Sequence, residues 1–317
     1  MSLLAIDLGG TKLAMAQFDD DGTILQKTNI PLAGRKGQEV GSLVADNMRS
    51  VIESSHPEHA VHSVGVSVPG ISRIKTGTVW APNISGWDDY PLLTQLKTVC
   101  GDIPVTIDSD RACSILGEIW QGNANGCNDA IFLAVGTGIG AGIVANGNIL
   151  RGSHDISGAV GWMALTRPFL DEYVNYGCFE YHASGDGIAR VARNLLSQHE
   201  EYAGNLRNLN PQQISSHDVF SAYDSGDVIA KQVFDICIGY WGMAIANFVS
   251  IFNPEKILLG GGVFGPAVQF IPAIKTEALK WAQPISIHQV SIEASALGSD
   301  AALYGAGYLA LKAIHHD

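Results

Sequence analysis

The sequence predicts an α/β fold of two duplicated halves, assembled as two lobes with a central cleft. Three observations carry that prediction. A strand, a glycine loop, a second strand, a tight turn and a third strand open the chain and recur from residue 130, an internal duplication of long period. Each half then continues into helix-period and buried-strand patterns. The 317 residues, 46% hydrophobic and 16% charged, are enough to build two ordinary cores.

Taken in order, residues 3–7 form a short apolar strand that runs into Gly9, Gly10, Thr11 and Lys12. Residues 13–18 return as a second strand, Asp20-Asp21-Gly22 turns the chain, and 23–29 makes a third. Val40, Leu43, Val44, Met48, Val51 and Ile52 recur on one helical face. Residues 63–68 read as a buried strand ending in Pro69-Gly70, 105–107 as another, and 110–120 as a helix. The theme restarts with strand 130–135, the loop at Gly136, Thr137, Gly138 and Gly140, strand 141–144, the turn Asn146-Gly147, and 149–150. Residues 227–252 form a long helix, apolar nearly all round and therefore expected to be buried. Residues 256–259 form a strand ending in three glycines, and 300–314 a closing helix. The expected division places 1–117 and 300–317 in the first lobe and 118–299 in the second. An active site in such an architecture is expected where loops from both lobes converge.

The formal net charge of −12 opposes nucleic-acid and anionic-membrane partners, since such a surface repels phosphate. It does not oppose ATP, which needs only local N–H donors and one or two cations. The first residues enter a strand without a basic leader, and no apolar run is read as approaching the length of a membrane span. Five cysteines, Cys100, Cys113, Cys127, Cys178 and Cys237, show no C-x-x-C spacing, which predicts reduced thiols and a cytoplasmic location.

The segment Asp7-Leu8-Gly9-Gly10-Thr11-Lys12 offers phosphate close backbone N–H groups, a hydroxyl and a cation. Asp7 is a candidate for Mg²⁺ through water. Taken alone it is equally a plain hairpin turn. Gly136-Thr137-Gly138 is its counterpart in the second half, and the pairing is far more specific than either loop. Gly260-Gly261-Gly262-Val263-Phe264-Gly265 fits G-x-G-x-x-G after a strand. No acidic residue ends a second strand about 20 residues later, so a dinucleotide site is not expected, and the run suits adenosine passing over a helix start.

Together with Pro82-Asn83-Ile84-Ser85-Gly86-Trp87 and Leu297–Ala302, these segments resemble the ROK family of bacterial sugar kinases and repressors over nearly the whole chain. The resemblance implies a ribonuclease-H-like, actin/hexokinase-type ATPase fold, MgATP as donor, a sugar hydroxyl as acceptor and a homodimer. Its repressors carry an added N-terminal helix-turn-helix. Here a strand begins at residue 3, so the kinase branch is expected. The family's catalytic Asp opens a helix ending in Gly-Glu. Counting back from Gly117-Glu118 gives Asp110, with Ser109 in place of the usual Asn. A carboxylate there suits a general base for the attacking hydroxyl. A helix cap at Asp110, or Asp108 as the base, are the competing assignments.

The family's sugar-contacting Glu and zinc-binding His fall on Ala159 and Trp162, and its cysteine triplet is missing from 171–176, leaving Cys178 alone. One thiol cannot build a tetrahedral zinc site, so no zinc is expected. Glu180 survives as a sugar-contacting carboxylate, with Gly70, Asn83 and Ser109 as further contacts. Trp162 either stacks on an apolar sugar face or fills the core. Two alternatives stay open: a catalytically altered sugar- or nucleotide-binding regulator, and a kinase or ATPase with no sugar acceptor.

Overall fold

The computed structural model describes residues 2–315. The chain opens with β1 (Ser2–Leu8), β2 (Lys12–Asp19), β3 (Ile24–Pro31), α1 (Gln38–Ser54), β4 (Val61–Val68), β5 (Ile71–Arg73), β6 (Thr78–Trp80), α2 (Leu92–Cys100), β7 (Val105–Ser109) and α3 (Asp110–Gln121). It continues with β8 (Ala130–Val135), β9 (Ile139–Ala145), β10 (Asn148–Ile149), α4 (Tyr173–Tyr176), α5 (Cys178–Ala183), α6 (Gly185–Gln198), α7 (Ser216–Asp224) and α8 (Val228–Phe252). It ends with β11 (Lys256–Gly260), α9 (Ile271–Trp281), β12 (Ser291–Ala294) and α10 (Ala301–Ile314).

Two five-stranded sheets share one topology, β3-β2-β1-β4-β7 and β10-β9-β8-β11-β12. In each, a leading antiparallel hairpin carries a third strand on one side and is extended by two parallel strands on the other. This is the internal duplication expected from the repeated strand, loop and strand theme. The turn from β9 to β10 passes through Asn146 and Gly147, both at positive φ (51° and 73°), the primed-turn geometry that matches strand twist.

The chain forms two compact units. The first contains the chain through Gly126, Ile149–Ser157 and the chain from Ser295; the second contains Cys127–Asn148 and Gly158–Ala294. Relative to the expected divisions at 117/118 and 299/300, segments 118–126, 149–157 and 295–299 pack within the first unit.

In the first unit, alternation along β1 sorts side chains to two faces. Leu4, Ile6 and Leu8 join Val40, Val44 and Met48 of α1 and Leu92 and Leu96 of α2. Leu3 and Ala5 join Phe18, Leu303, Ala306 and Ala310 beneath α10. That second face depends on three glycines. A Cβ at Gly65 of β4 would overlap the Ala306 carbonyl, one at Gly117 the Ala301 carbonyl, and one at Gly305 the Cys113 carbonyl. Helix α10 therefore lies backbone to backbone on β4 and α3. Glu118, fully buried in α3, receives the hydroxyl of Ser295 and the N–H of Leu297, tying the approach to α10 onto α3.

In the second unit, Ile131, Leu133, Val135, Ile257 and Leu259 of the sheet pack with α6, α8 and α9. Asp227 caps α8, accepting the N–H groups of Ile229 and Ala230. Asn253 ends the helix in the left-handed region, φ 44°. Two expectations for this helix need correction. By length and composition α8 is apolar enough to cross a membrane. It is not buried all round either: Trp241, Ile245 and Val249 lie in the core, whereas Lys231, Asp235, Asn247 and Ile251 are exposed. The apolar pattern is a core helix that meets neighbours on one side.

Candidate active site

In the first unit, β1 and β2 present a glycine loop. The N–H of Gly9 meets the carbonyl of Lys12 at 2.9 Å, which leaves Gly10 and Thr11 at an exposed tip. A Cβ at Gly10 would stand 2.8 Å from Asn83 Nδ2, so the structure brings two of the expected residues together. Asp7 sits at the end of β1 and accepts the Ser67 hydroxyl at 2.7 Å. Burial pushes its carboxyl above the ordinary range, against the pull of that hydroxyl and of Lys12.

Asp108 and Asp110 differ in their partners. Asp108, almost fully buried at the end of β7, takes two donors from Arg151, at 2.5 and 3.2 Å, and the N–H of Ser109 at 2.8 Å. Its carboxylate is consumed by an ion pair. Asp110 begins α3, but the cap is Ser109, whose hydroxyl oxygen accepts the Ala112 N–H at 3.3 Å. Asp110 accepts the Arg111 N–H at 2.8 Å and, among the described residues, has no salt-bridge partner. Burial pushes its pKa up to about 6, with Arg111 opposing and the negative charge of Asp7 reinforcing the shift. Arg111 was missed in the sequence. Its guanidinium donates to the Gly70 carbonyl at 3.1 Å, so Gly70 (φ 84°) anchors that side chain.

In the second unit a cavity of about 520 Å³ is lined by Gly136, Thr137 and Gly262, three of the residues the sequence offers for phosphate and adenosine. Its remaining wall escaped the sequence reading. The face of α6 supplies Asp186, Arg190 and Arg193, and the entry to α7 supplies Gln212, His217 and Phe220. The signal was present as two helix starts. Ser184 caps α6, and Ser215 with Asp218 forms a capping box on α7. The N–H of Gly185 donates to the Gly136 carbonyl at 2.7 Å, pinning the start of α6 to the glycine loop. Gly138 and Gly261 do not line the cavity. A Cβ at Gly261 (φ 86°) would stand 2.5 Å from the Val135 carbonyl, and one at Gly138 would stand 2.8 Å from Glu180 Oε2. Close approach explains both glycines.

Glu180, on α5, accepts the Ile139 N–H at 2.7 Å, and burial raises its pKa against that bond. Trp162 is 55% exposed, which overturns the core alternative. It ends a single 3₁₀ turn beside Gly161, where a Cβ would stand 3.0 Å from Glu180. Cys178 is buried near Tyr173 and Tyr181. All five cysteines are free thiols, and among the described residues no group of three or more His, Cys, Asp and Glu is placed to hold a metal ion.

Comparison with known proteins places these features in context. The profile of the ROK family matches residues 3–313. A glucokinase of Halalkalibacterium halodurans is 33% identical over 314 residues, covering 96% of this chain and 94% of that protein. A beta-glucoside kinase of Listeria monocytogenes is 27% identical, covering 97% of both chains. The crystal structure of a ROK family glucokinase from Streptomyces griseus in complex with glucose and AMPPNP superposes with a TM-score of 0.78, at 27% identity, over 98% of this chain and all of that one.

Proposed function

The chain belongs to the ROK family, and from that premise we propose that it is an ATP-dependent sugar kinase with Asp110 as general base. The observation that carries this reading is the contrast between two neighbouring carboxylates. Asp108 is locked by Arg151, while Asp110 is uncommitted and tuned to about 6, a value suited to accepting a proton near neutral pH. The glucokinase and beta-glucoside kinase relatives favour a glucose-type pyranose as acceptor.

In this mechanism the acceptor hydroxyl oxygen attacks the γ-phosphorus of ATP while Asp110 takes its proton. The bond from the γ-phosphorus to the bridging oxygen breaks, and ADP leaves. Gly9, Gly10, Thr11 and Lys12 serve the phosphates with N–H groups, a hydroxyl and a cation; Gly136 and Thr137 do so in the second unit. Gly262 and the α6 and α7 residues hold the nucleoside. Asn83, Ser109, Gly70, Glu180 and Trp162 orient the sugar. Asp7 fits Mg²⁺ held through water, because its carboxylate is desolvated at the end of β1, keeps, among the described residues, only the Ser67 hydroxyl as a side-chain hydrogen-bond partner, and adds its charge to the field at Asp110. Mg²⁺, when bound, neutralises phosphate charge.

The reading needs no zinc, with stoichiometric zinc in the purified protein as the opposing result. It includes a homodimer. Ile251, Trp281 and Ile285 support that assembly: they are exposed apolar residues grouped where the Gln283 N–H meets the Ser250 hydroxyl. The decisive experiment is a panel of hexoses, N-acetylhexosamines, ketoses and β-glucosides scored by MgATP-dependent ADP release. Sugar-dependent release that Asp110→Asn lowers about a thousandfold is expected. Binding without turnover across the panel would favour the regulator, and release independent of sugar would favour an ATPase.

A further inference from the structure

Glu180 sits in a place with no slack. Its Oε2 accepts the Ile139 N–H, and glycines stand where any Cβ, at 138 or 161, would press on the carboxylate. Its position is therefore set by where α5 lies. Six residues are too few to hold themselves in place, so the anchoring comes from outside.

One anchor is α8. Trp241 donates its indole N–H to the Ala183 carbonyl at 3.0 Å, the Cys237 thiol reaches the His182 carbonyl at 3.6 Å, and Tyr240 stacks on the His182 ring at 4.5 Å and 8°. A second is Arg190 of α6, which donates to the Tyr181 carbonyl at 2.7 Å with its guanidinium 4.3 Å over the Tyr181 ring. The third is the hydrogen bond from α4 to α5, in which the Tyr173 hydroxyl meets His182 Nε2 at 2.7 Å. Tyr173 is buried, and its ring is edge-on to Tyr181 and His182. Burial lowers the His182 pKa to about 4 and pushes the Tyr173 phenol far up, so both partners stay neutral near pH 7. A polar pair among aromatic rings contributes little net stability, because desolvation offsets most of its attraction. What it adds is direction: stacked rings can slide, and a hydrogen bond of this length cannot.

We propose that the Tyr173–His182 pair is a positioning device that fixes α5 and thereby sets where the Glu180 carboxylate meets the acceptor. The proposal rests on the reading of Glu180 as a sugar contact. Tyr173 and His182 are positioning residues that act only through Glu180.

Two variants keep the rings and remove the bond: Tyr173→Phe, and His182→Phe, which retains a flat ring against Tyr240. The first measurement needs no activity. Amide exchange at Ile139, whose N–H is held by Glu180, is expected to quicken about tenfold in both variants, with the slowest core amides unchanged. The second is steady-state kinetics, where KM for the sugar is expected to rise about tenfold with kcat and KM for ATP within about twofold. The double variant should match either single one, since each removes the same bond. Unchanged Ile139 exchange overturns the proposal, as does a fall in thermal midpoint with sugar and ATP constants moving in parallel. If the wild-type protein turns over no sugar, the kinase reading fails while the exchange measurement still decides whether the pair holds Glu180.

Discussion

Asp110 is a group held at a cost. Its folded pKa, about 6, lies above the ordinary 3.8, so its contribution to stability is present below pH 3.8 and lost as pH rises through 6. Asp110→Asn should therefore raise stability by about 1 kcal/mol at pH 8, after allowance for partial exposure, and by almost nothing at pH 4. Chemical denaturation at the two pH values checks this, and an equal gain at both would remove the assignment. Activity runs the other way, because a base must be ionised: kcat/KM should fall about tenfold per pH unit below 6. Arg111 opposes the upward shift, so Arg111→Met should move that acid limb to higher pH. Arg151→Met tests the neighbouring carboxylate. It leaves Asp108 buried without its cation and should cost about 3 kcal/mol, much of it recovered by adding Asp108→Asn.

At the scale of elements, the bed of α10 is the most sensitive surface in the first unit. Gly305→Ala drives a Cβ into the Cys113 carbonyl, where backbone rather than a flexible side chain must yield. A loss of about 3 kcal/mol is expected, against well under 1 kcal/mol for the control Gly239→Ala, which stands in open space on α8. The sequence foretold α10 as a helix but not this bed, since nothing local in Gly65, Gly117 and Gly305 says that they face one another. The same limit applied elsewhere. The strands and both glycine loops were legible because short continuous apolar runs and glycine pairs are local signals. The cavity wall was not, because α6 and the entry to α7 meet only in three dimensions. Trp162 was misjudged as equally suited to the core because residue type alone does not say which way a 3₁₀ turn faces.

At the scale of the whole molecule, each unit has its own sheet and core, and each proposed ligand should leave a separate mark. A non-hydrolysable ATP analogue at about 100 times its Kd should suppress local opening roughly a hundredfold along the N-terminal half of α6 and the entry to α7. Sugar alone should protect Asn83 and the start of α3 in the first unit, and Ile139 in the second. Protection by the nucleotide confined to other segments would move the nucleotide away from the cavity.

The interleaved chain also bears on birth at the ribosome. The first unit needs Ile149–Ser157 and α10 as well as its opening strands, whereas the second is complete once Ala294 has emerged. Translation therefore delivers the later sheet in finished form while the earlier one still lacks the helix that covers Leu3, Ala5 and Phe18. The usual order, in which the N-terminal domain folds first, is therefore expected to reverse for this protein. A nascent chain stalled before Ala301 should resist protease across the second unit and be cut within β1–β4, and release of the last helix should close that window.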